Sequence, residues 1–424
     1  MSRKQNQRWM KLDNAAKIFP GQNSSTWSNV FRFGVELKEE IEPDVLEKAL
    51  EKTLRRIPTF NVRMRNGFFW HYFEKNPKKP IVSPDINNPC YRINFKENNG
   101  FLFRTYYHGR RICVDVYHAL CDGYGAVIFV STLAAEYLRL KGYSISHNEF
   151  VLDVNEEPKP EELEDSYSKY ASSKVKFDRG DKWAYHAKQT KLPRHERNYI
   201  TGVMSFSELH KIAKSYGVTV TEFLTALLID IHYHKQLREK KKQKEISVQV
   251  PVNLRKAFPS KTLRNFVLCL VVRINPNLGE YTFEEILRSV SLQLRLANDP
   301  KLINSLMTEN LKIERNPVAR LLPLPIKDLG VAITFLITAE QKTSILLSNV
   351  GLVKLPEEMY EHVEKYIFYT GAGKLNGARC SVMSTGDTLI FGFSSCYEET
   401  DIQREFFTRL VKMGIHVKIE SNRD

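Results

Sequence analysis

"VYHALCDGYGA", residues 116–126, decides how this chain is read. A histidine closes an apolar run, and four residues later an aspartate is followed at once by glycine. Upstream, "FLFRTYYHGRRICVDVYH" (101–118) holds two β-rich runs around a turn near His108-Gly109, the pattern of a hairpin. In the second run Ile112, Val114, Val116 and His118 share one face by the period of two. Downstream, "YGAVIFVSTLAAEYLRLKG" (124–142) reads as a largely buried helix with Gly142 at its C-terminal stop. His118 therefore ends a strand, and Asp122-Gly123 forms the turn into a helix. There the imidazole projects into a cleft from a fixed backbone. Its ordinary pKa of about 6.5 suits general-base work near neutral pH. Asp122 is placed to orient the ring or to hold the loop. Gly123 supplies a positive φ or lets a ligand approach the backbone. With 11 histidines in the chain, HxxxDG arises by chance on the order of 0.03 times.

The remaining composition narrows the classes. At 424 residues the chain is long for one core, so two domains are expected. Hydrophobic content of 42% and aromatic content of 11% belong to a folded globular protein. No run approaches about 18 apolar residues, so no membrane span is expected. The start, "MSRKQNQRWMKLDNAAK", is basic but has no apolar stretch behind it, unlike a secretory signal. Six cysteines (90, 113, 121, 269, 380, 396) lack metal-site or paired spacing, which fits a reducing cytoplasm. No metal set and no GxSxG nucleophile elbow is present. The net charge is +14, partly from "HYHKQLREKKKQKE" (232–245). That run reads as a solvated helix end or as an attractor of anionic substrates or acidic partners. A nucleic-acid role lacks aromatic platforms and any recognition motif.

Helix and strand patterns alternate in both halves. "IEPDVLEKALEKTLRRIP" (41–58) has a helical apolar stripe, Pro43 at its start and Pro58 at its stop. Residues 151–196 are polar and weakly periodic, the character of a connection. Beyond them, Ser205 with Glu208 and Thr219 with Glu222 form two capping-box patterns separated by Gly217. "EISVQVPVNLRKAF" (245–258) and "NFVLCLVVRIN" (265–275) read as strands, with helices over 282–297 and 315–340. Four more strands and the helix "IQREFFTRLVKM" (402–413) complete the chain. The expected fold is α/β with mixed sheets in two lobes. Residues 1–165 form the first lobe, 166–196 the connecting segment and 197–424 the second lobe.

The motif and its flanks resemble the HxxxDG motif of the chloramphenicol acetyltransferase-like superfamily. Condensation domains and alcohol acyltransferases belong to it. "YHALCDGYGAVIFVSTL" (117–133) carries the resemblance, with "RRIPTFNVRMRNGFFW" (55–70), "SYGVTVTEFLTALLI" (215–229), "VPVNLRKAF" (250–258) and "LSNVGLVKLP" (347–356). Their order spans nearly the whole chain and looks like the stand-alone condensation-like, alcohol acetyltransferase-like branch. The DFGWG motif of plant acyltransferases is absent, and Ser348–Leu352 stands in its place. The arginine of the condensation-domain HxxLR pattern falls near Asn61, with Arg63 two residues on.

The resemblance implies an active-site channel between two lobes. It implies His118 as the base that deprotonates a hydroxyl or amine attacking an acyl thioester. Asp122 would pin the loop through an arginine, with Arg63 and Arg255 as candidates, and Gly123 would permit the turn. Ser348 and Asn349 are candidate oxyanion or substrate contacts, although Ser348–Gly351 reads equally as a strand end. The donor would be coenzyme A or a carrier-protein phosphopantetheine as co-substrate, with no tightly bound cofactor, no metal and no nucleic acid. Acyl transfer to a small alcohol or amine leads. A carrier-protein-dependent condensation enzyme and a non-catalytic binding protein are the alternatives.

Overall fold

A computed structural model describes residues 9–423 apart from 25–28, 87, 176–181, 194, 240–241, 372 and 374. Parts of the basic run and of the connecting segment, and the first eight residues, thus lie outside the described residues. In chain order the first half comprises β1 (Trp9–Lys11), β2 (Val30–Leu37), α1 (Pro43–Arg56), β3 (Val62–Asn66), β4 (His71–Lys75), β5 (Val82–Pro84), β6 (Phe103–His108), β7 (Arg111–Tyr117), α2 (Gly123–Leu140), α3 (Pro160–Leu163) and α4 (Ser166–Tyr170). The second half begins with β8 (Asn198–Ser205), α5 (Phe206–Ser215), α6 (Val220–Arg238), β9 (Ile246–Asn253) and β10 (Val267–Ile274). It continues through α7 (Phe283–Ala297), α8 (Pro300–Arg315), α9 (Pro317–Leu321) and α10 (Leu324–Phe335). It ends with β11 (Ile345–Val353), β12 (Val363–Thr370), β13 (Ala378–Thr385), β14 (Thr388–Ser395), α11 (Asp401–Lys412) and β15 (Lys418–Ser421).

Two mixed sheets organise the molecule, each with its own apolar core. One has five strands in the order β12-β2-β7-β6-β5, covered by α1 and α2. Helix α2 is apolar nearly all round and buried from Gly125 to Leu138, as such a helix must be. The other has seven strands in the order β10-β9-β11-β13-β14-β8-β15, packed against α6, α7 and α11. A three-stranded sheet, β1-β4-β3, flanks the first. The fold is therefore the expected α/β arrangement of two lobes with mixed sheets.

The sequence division at 197 does not hold for one strand. β12 comes from the second half but pairs antiparallel with β2 at the edge of the first sheet. Its Val363, Tyr366 and Phe368 belong to the first core. The helix expected over 315–340 is also broken: Pro317 and Pro323 start α9 and α10, since proline cannot continue a helix. A separate helix, α8, precedes them, capped by Asp299 with Pro300 at its first turn. The Thr219–Glu222 box is complete. The Ser205–Glu208 box is half formed: the Ser205 hydroxyl accepts from the Glu208 N–H at 3.2 Å and donates to Asp387 at 2.7 Å.

Candidate active site

His118 stands one residue beyond β7. Its backbone N–H donates to the Asn29 carbonyl at 2.8 Å, which extends the β2–β7 ladder by one bond. Ile112, Val114 and Val116 on the same face are fully buried, so the strand leading to the histidine is fixed. The ring is only partly buried. Phe19 stacks on it at 4.5 Å and Phe31 meets its edge at 5.0 Å. On the far side Nδ1 lies 3.1 Å from Asn265 Oδ1. That oxygen only accepts, so the bond places the ring proton on Nδ1 and leaves the lone pair on Nε2. Burial pushes the His118 pKa below the ordinary histidine value, with Arg379 acting the same way. A bond from the ring to its own backbone carbonyl opposes the shift most, followed by Asp122 and the Asn265 bond. The net lowering favours the neutral ring.

Asp122 is not bonded to that ring. Its Oδ1 accepts from the Gly125 N–H at 3.1 Å as the N-cap of α2. Its Oδ2 accepts from Arg255 Nη1 at 2.7 Å and from the Phe266 N–H at 2.8 Å. Arg255 also donates to the carbonyls of Thr262 and Arg264 and lies over the Tyr124 ring. One buried ion pair thus ties the motif to the loop before β10. Of the two arginines considered, Arg255 makes the contact. Arg63 does not: it lies on β3 and pairs with Glu74 at 2.8 Å.

The glycines divide differently from the expectation. Gly123 has no positive φ; it is the first residue of α2. A Cβ there would come within 3.3 Å of Val350 on β11, so its smallness brings β11 against the motif. Gly125 is the tighter position, where a Cβ would sit 2.1 Å from the Leu263 carbonyl oxygen. Only glycine lets the 262–266 loop lie on the helix start.

Ser348 and Asn349 lie on β11, next to a register shift between Asn349 and Leu352. Ser348 is partly exposed and pairs in register with Ser381. The Asn349 amide is engaged, with Nδ2 donating to Thr221 and Oδ1 accepting from the Gly351 N–H, whose φ is +86°. That geometry makes Asn349 a brace between β11 and the start of α6.

Sequence reasoning missed Phe19, Asn265 and Asp13. Asn265 was read as the first residue of a strand, but β10 begins at Val267. Asn265 Nδ2 donates to Asp13 Oδ2 at 3.3 Å. Burial pushes the Asp13 carboxyl up to about 6, against the pull of Arg264. The compact run "LDNAAKIFPG" (12–21), polar and apolar residues mixed in a non-periodic stretch, is the signal that was available.

No family model matches the chain, and no curated protein matches it. Solved structures do. Polyketide synthase associated protein 5 from Mycobacterium tuberculosis superposes with a TM-score of 0.60 at 14% identity, covering 94% of this chain and 96% of that one. An F. sporotrichioides protein solved with coenzyme A and T-2 gives 0.62 at 11% identity, covering 97% and 99%. The wax ester synthase/diacylglycerol acyltransferase from Marinobacter aquaeolei VT8 gives 0.54 at 12%, covering 95% and 98%. The chain thus shares its fold with these proteins over nearly its whole length. Among the described residues no single helix is long and apolar enough to cross a membrane.

Proposed function

We propose that the protein is an acyltransferase. It moves an acyl group from a coenzyme A or carrier-bound phosphopantetheine thioester to the hydroxyl or amine of a small acceptor. The observation that carries this reading is the His118 ring, held between Phe19, Phe31 and Asn265 with its Nε2 lone pair unused among the described residues. The acyltransferase fold, one of whose neighbours was solved with coenzyme A, supports it.

In the proposed reaction Nε2 takes the proton from the acceptor as its oxygen or nitrogen attacks the thioester carbonyl. The tetrahedral intermediate collapses by breaking the carbon–sulfur bond. The leaving thiolate then takes the proton back from Nε2, so no covalent acyl-enzyme forms. Holding both substrates at one nitrogen is a large contribution in itself. Ser348 is the proposed oxyanion or substrate contact. Asp122 and Arg255 keep the loop in place and touch no reacting atom. The basic balance of the chain, +14, favours an anionic donor.

The test is thiol release by the wild-type protein from a panel of coenzyme A and carrier-bound acyl thioesters, with alcohols and amines as acceptors. Acceptor-dependent release from coenzyme A thioesters is the expected result. Release only from carrier-bound donors would make the protein a condensation enzyme. Release from neither would leave a non-catalytic binding protein.

A further inference from the structure

Helix α10 presents its faces in reverse. A surface helix ordinarily buries its apolar stripe and turns its charges to water. The two charged residues of α10, Lys327 and Asp328, are instead tied to the body of the protein. Ile326, Leu329 and Ile333, spaced along one side, are exposed, and Ile337 continues the row in the helical turn Leu336–Glu340. We propose that this face, together with the tip of the β3–β4 hairpin, docks on an anionic lipid bilayer. The proposal does not rest on the acyl-transfer reading.

The helix and the hairpin tip form one surface. Lys327 Nζ donates to the carbonyls of Phe69 and Arg320, each at 2.8 Å. The Asp328 carboxylate meets His71 Nε2 at 3.1 Å, and the Leu324 N–H donates to the Phe68 carbonyl at 3.1 Å. Beside these bonds the apolar side chains stand in water: Phe68 is 72% exposed, Trp70 60% and Leu329 63%. An exposed apolar patch built from two neighbouring elements marks an interaction site. On its inner side α10 rests on Gly21, where a Cβ would come within 2.4 Å of the Asp328 carbonyl oxygen. Gly21 lies two residues beyond Phe19, the ring stacked on His118, so the patch backs onto the candidate active site.

The charge beside the patch selects lipid over other occupants. In the β1-β4-β3 sheet Met10, Phe73 and Met64 lie side by side and pack on the first core. The alternate residues face away from that core: Trp9, Glu74 and Arg63 in one row, Lys11, Tyr72 and Arg65 in the next. Three of these six are cations, and the single carboxylate is paired with both arginines. In sequence, the first eleven residues add Arg3, Lys4 and Arg8 and no acid. Cations flanking an aromatic and aliphatic surface complement anionic headgroups above acyl chains, and tryptophan favours that boundary. A second copy of the chain would set these cations against their own kind. At 12 residues α10 is shorter than the roughly 20 that span a bilayer, so it lies in the interface and does not cross it.

The test is co-sedimentation of the full chain with vesicles of phosphatidylcholine alone or mixed with phosphatidylserine, at low and high salt. Partitioning to the phosphatidylserine vesicles is expected, weaker on phosphatidylcholine and weakened by salt. The double substitution Leu329→Asn/Ile333→Asn removes two exposed aliphatic side chains and is expected to lower partitioning roughly tenfold or more, with folding checked by thermal melting. Lys11→Glu/Arg65→Glu is expected to abolish the preference for phosphatidylserine. A readout on the unaltered helix is the tryptophan fluorescence lost in Trp70→Phe. That component should shift to the blue on vesicle binding and be quenched by brominated acyl chains. No partitioning to either vesicle, partitioning that the folded Leu329→Asn/Ile333→Asn variant retains in full, or a Trp70 signal that brominated lipid does not quench would overturn the proposal. So would a wild-type dimer in analytical ultracentrifugation that the same double substitution dissociates, which would make the occupant a second copy.

Discussion

At the scale of single residues, the motif is a packing device as much as a chemical one. Gly125→Ala would drive a methyl carbon into the Leu263 carbonyl, so it should destabilise by about 1–3 kcal/mol in urea unfolding. Gly123→Ala meets only the end of Val350 and should cost clearly less; equal losses would refute the assignment of Gly125 as the tighter site. The pH dependence of transfer follows from His118. The reaction needs the neutral ring, and burial lowers the pKa, so neutral His118 persists to lower pH than in a free histidine. The acid limb of kcat/KM should accordingly fall below about pH 6.5, and a limb above that value would contradict the site. The motif pointed to His118 and Asp122 by spacing, while the resemblance left Arg63 and Arg255 as alternative partners of Asp122. Asp13 and Asn265 were not legible. Nothing local tells an asparagine before a strand which histidine its amide will meet.

At the scale of elements, small connecting pieces hold the 262–266 loop that packs on the motif. Arg56 at the end of α1 makes a buried bidentate pair with Glu162 in α3, at 2.6 and 2.8 Å. The Glu162 and Glu164 carbonyls accept from Leu263 and Thr262, in the loop that carries Asn265. Glu162→Ala leaves the Arg56 charge buried and unpaired, so a loss of about 3–5 kcal/mol is expected in denaturant unfolding. Transfer should weaken as well. A loss under about 1 kcal/mol would show the pair to be no anchor. This region lay in the stretch read from sequence as a connection, since polar residues without period give no sign of a buried ion pair. The helix expected over 282–297 is present as α7, whose start the Thr282–Glu285 capping box closes. The elements between 300 and 340 were not legible, because three prolines set their starts there.

At the scale of the whole molecule, β12 binds the two lobes into one unit. Phe368 on this strand stacks on Phe33 of the first sheet at 4.3 Å, and the Phe368 carbonyl accepts from Ser381 of the second. Phe368→Ala should cost about 3–5 kcal/mol and shift a single unfolding transition, the same by circular dichroism and by fluorescence. Two transitions, only one of them shifted, would mean that the lobes unfold independently. Strand patterns in "EKYIFYT" (364–370) were readable, but not their sheet. Pairing is a long-range choice that a local alternation does not record.

The central claim is that His118 removes the acceptor's proton. The direct test is thiol release by His118→Ala against wild type at saturating donor and acceptor. The account predicts a fall of roughly 10²–10⁴-fold in kcat with donor affinity little changed. Release that survives the substitution undiminished would contradict it.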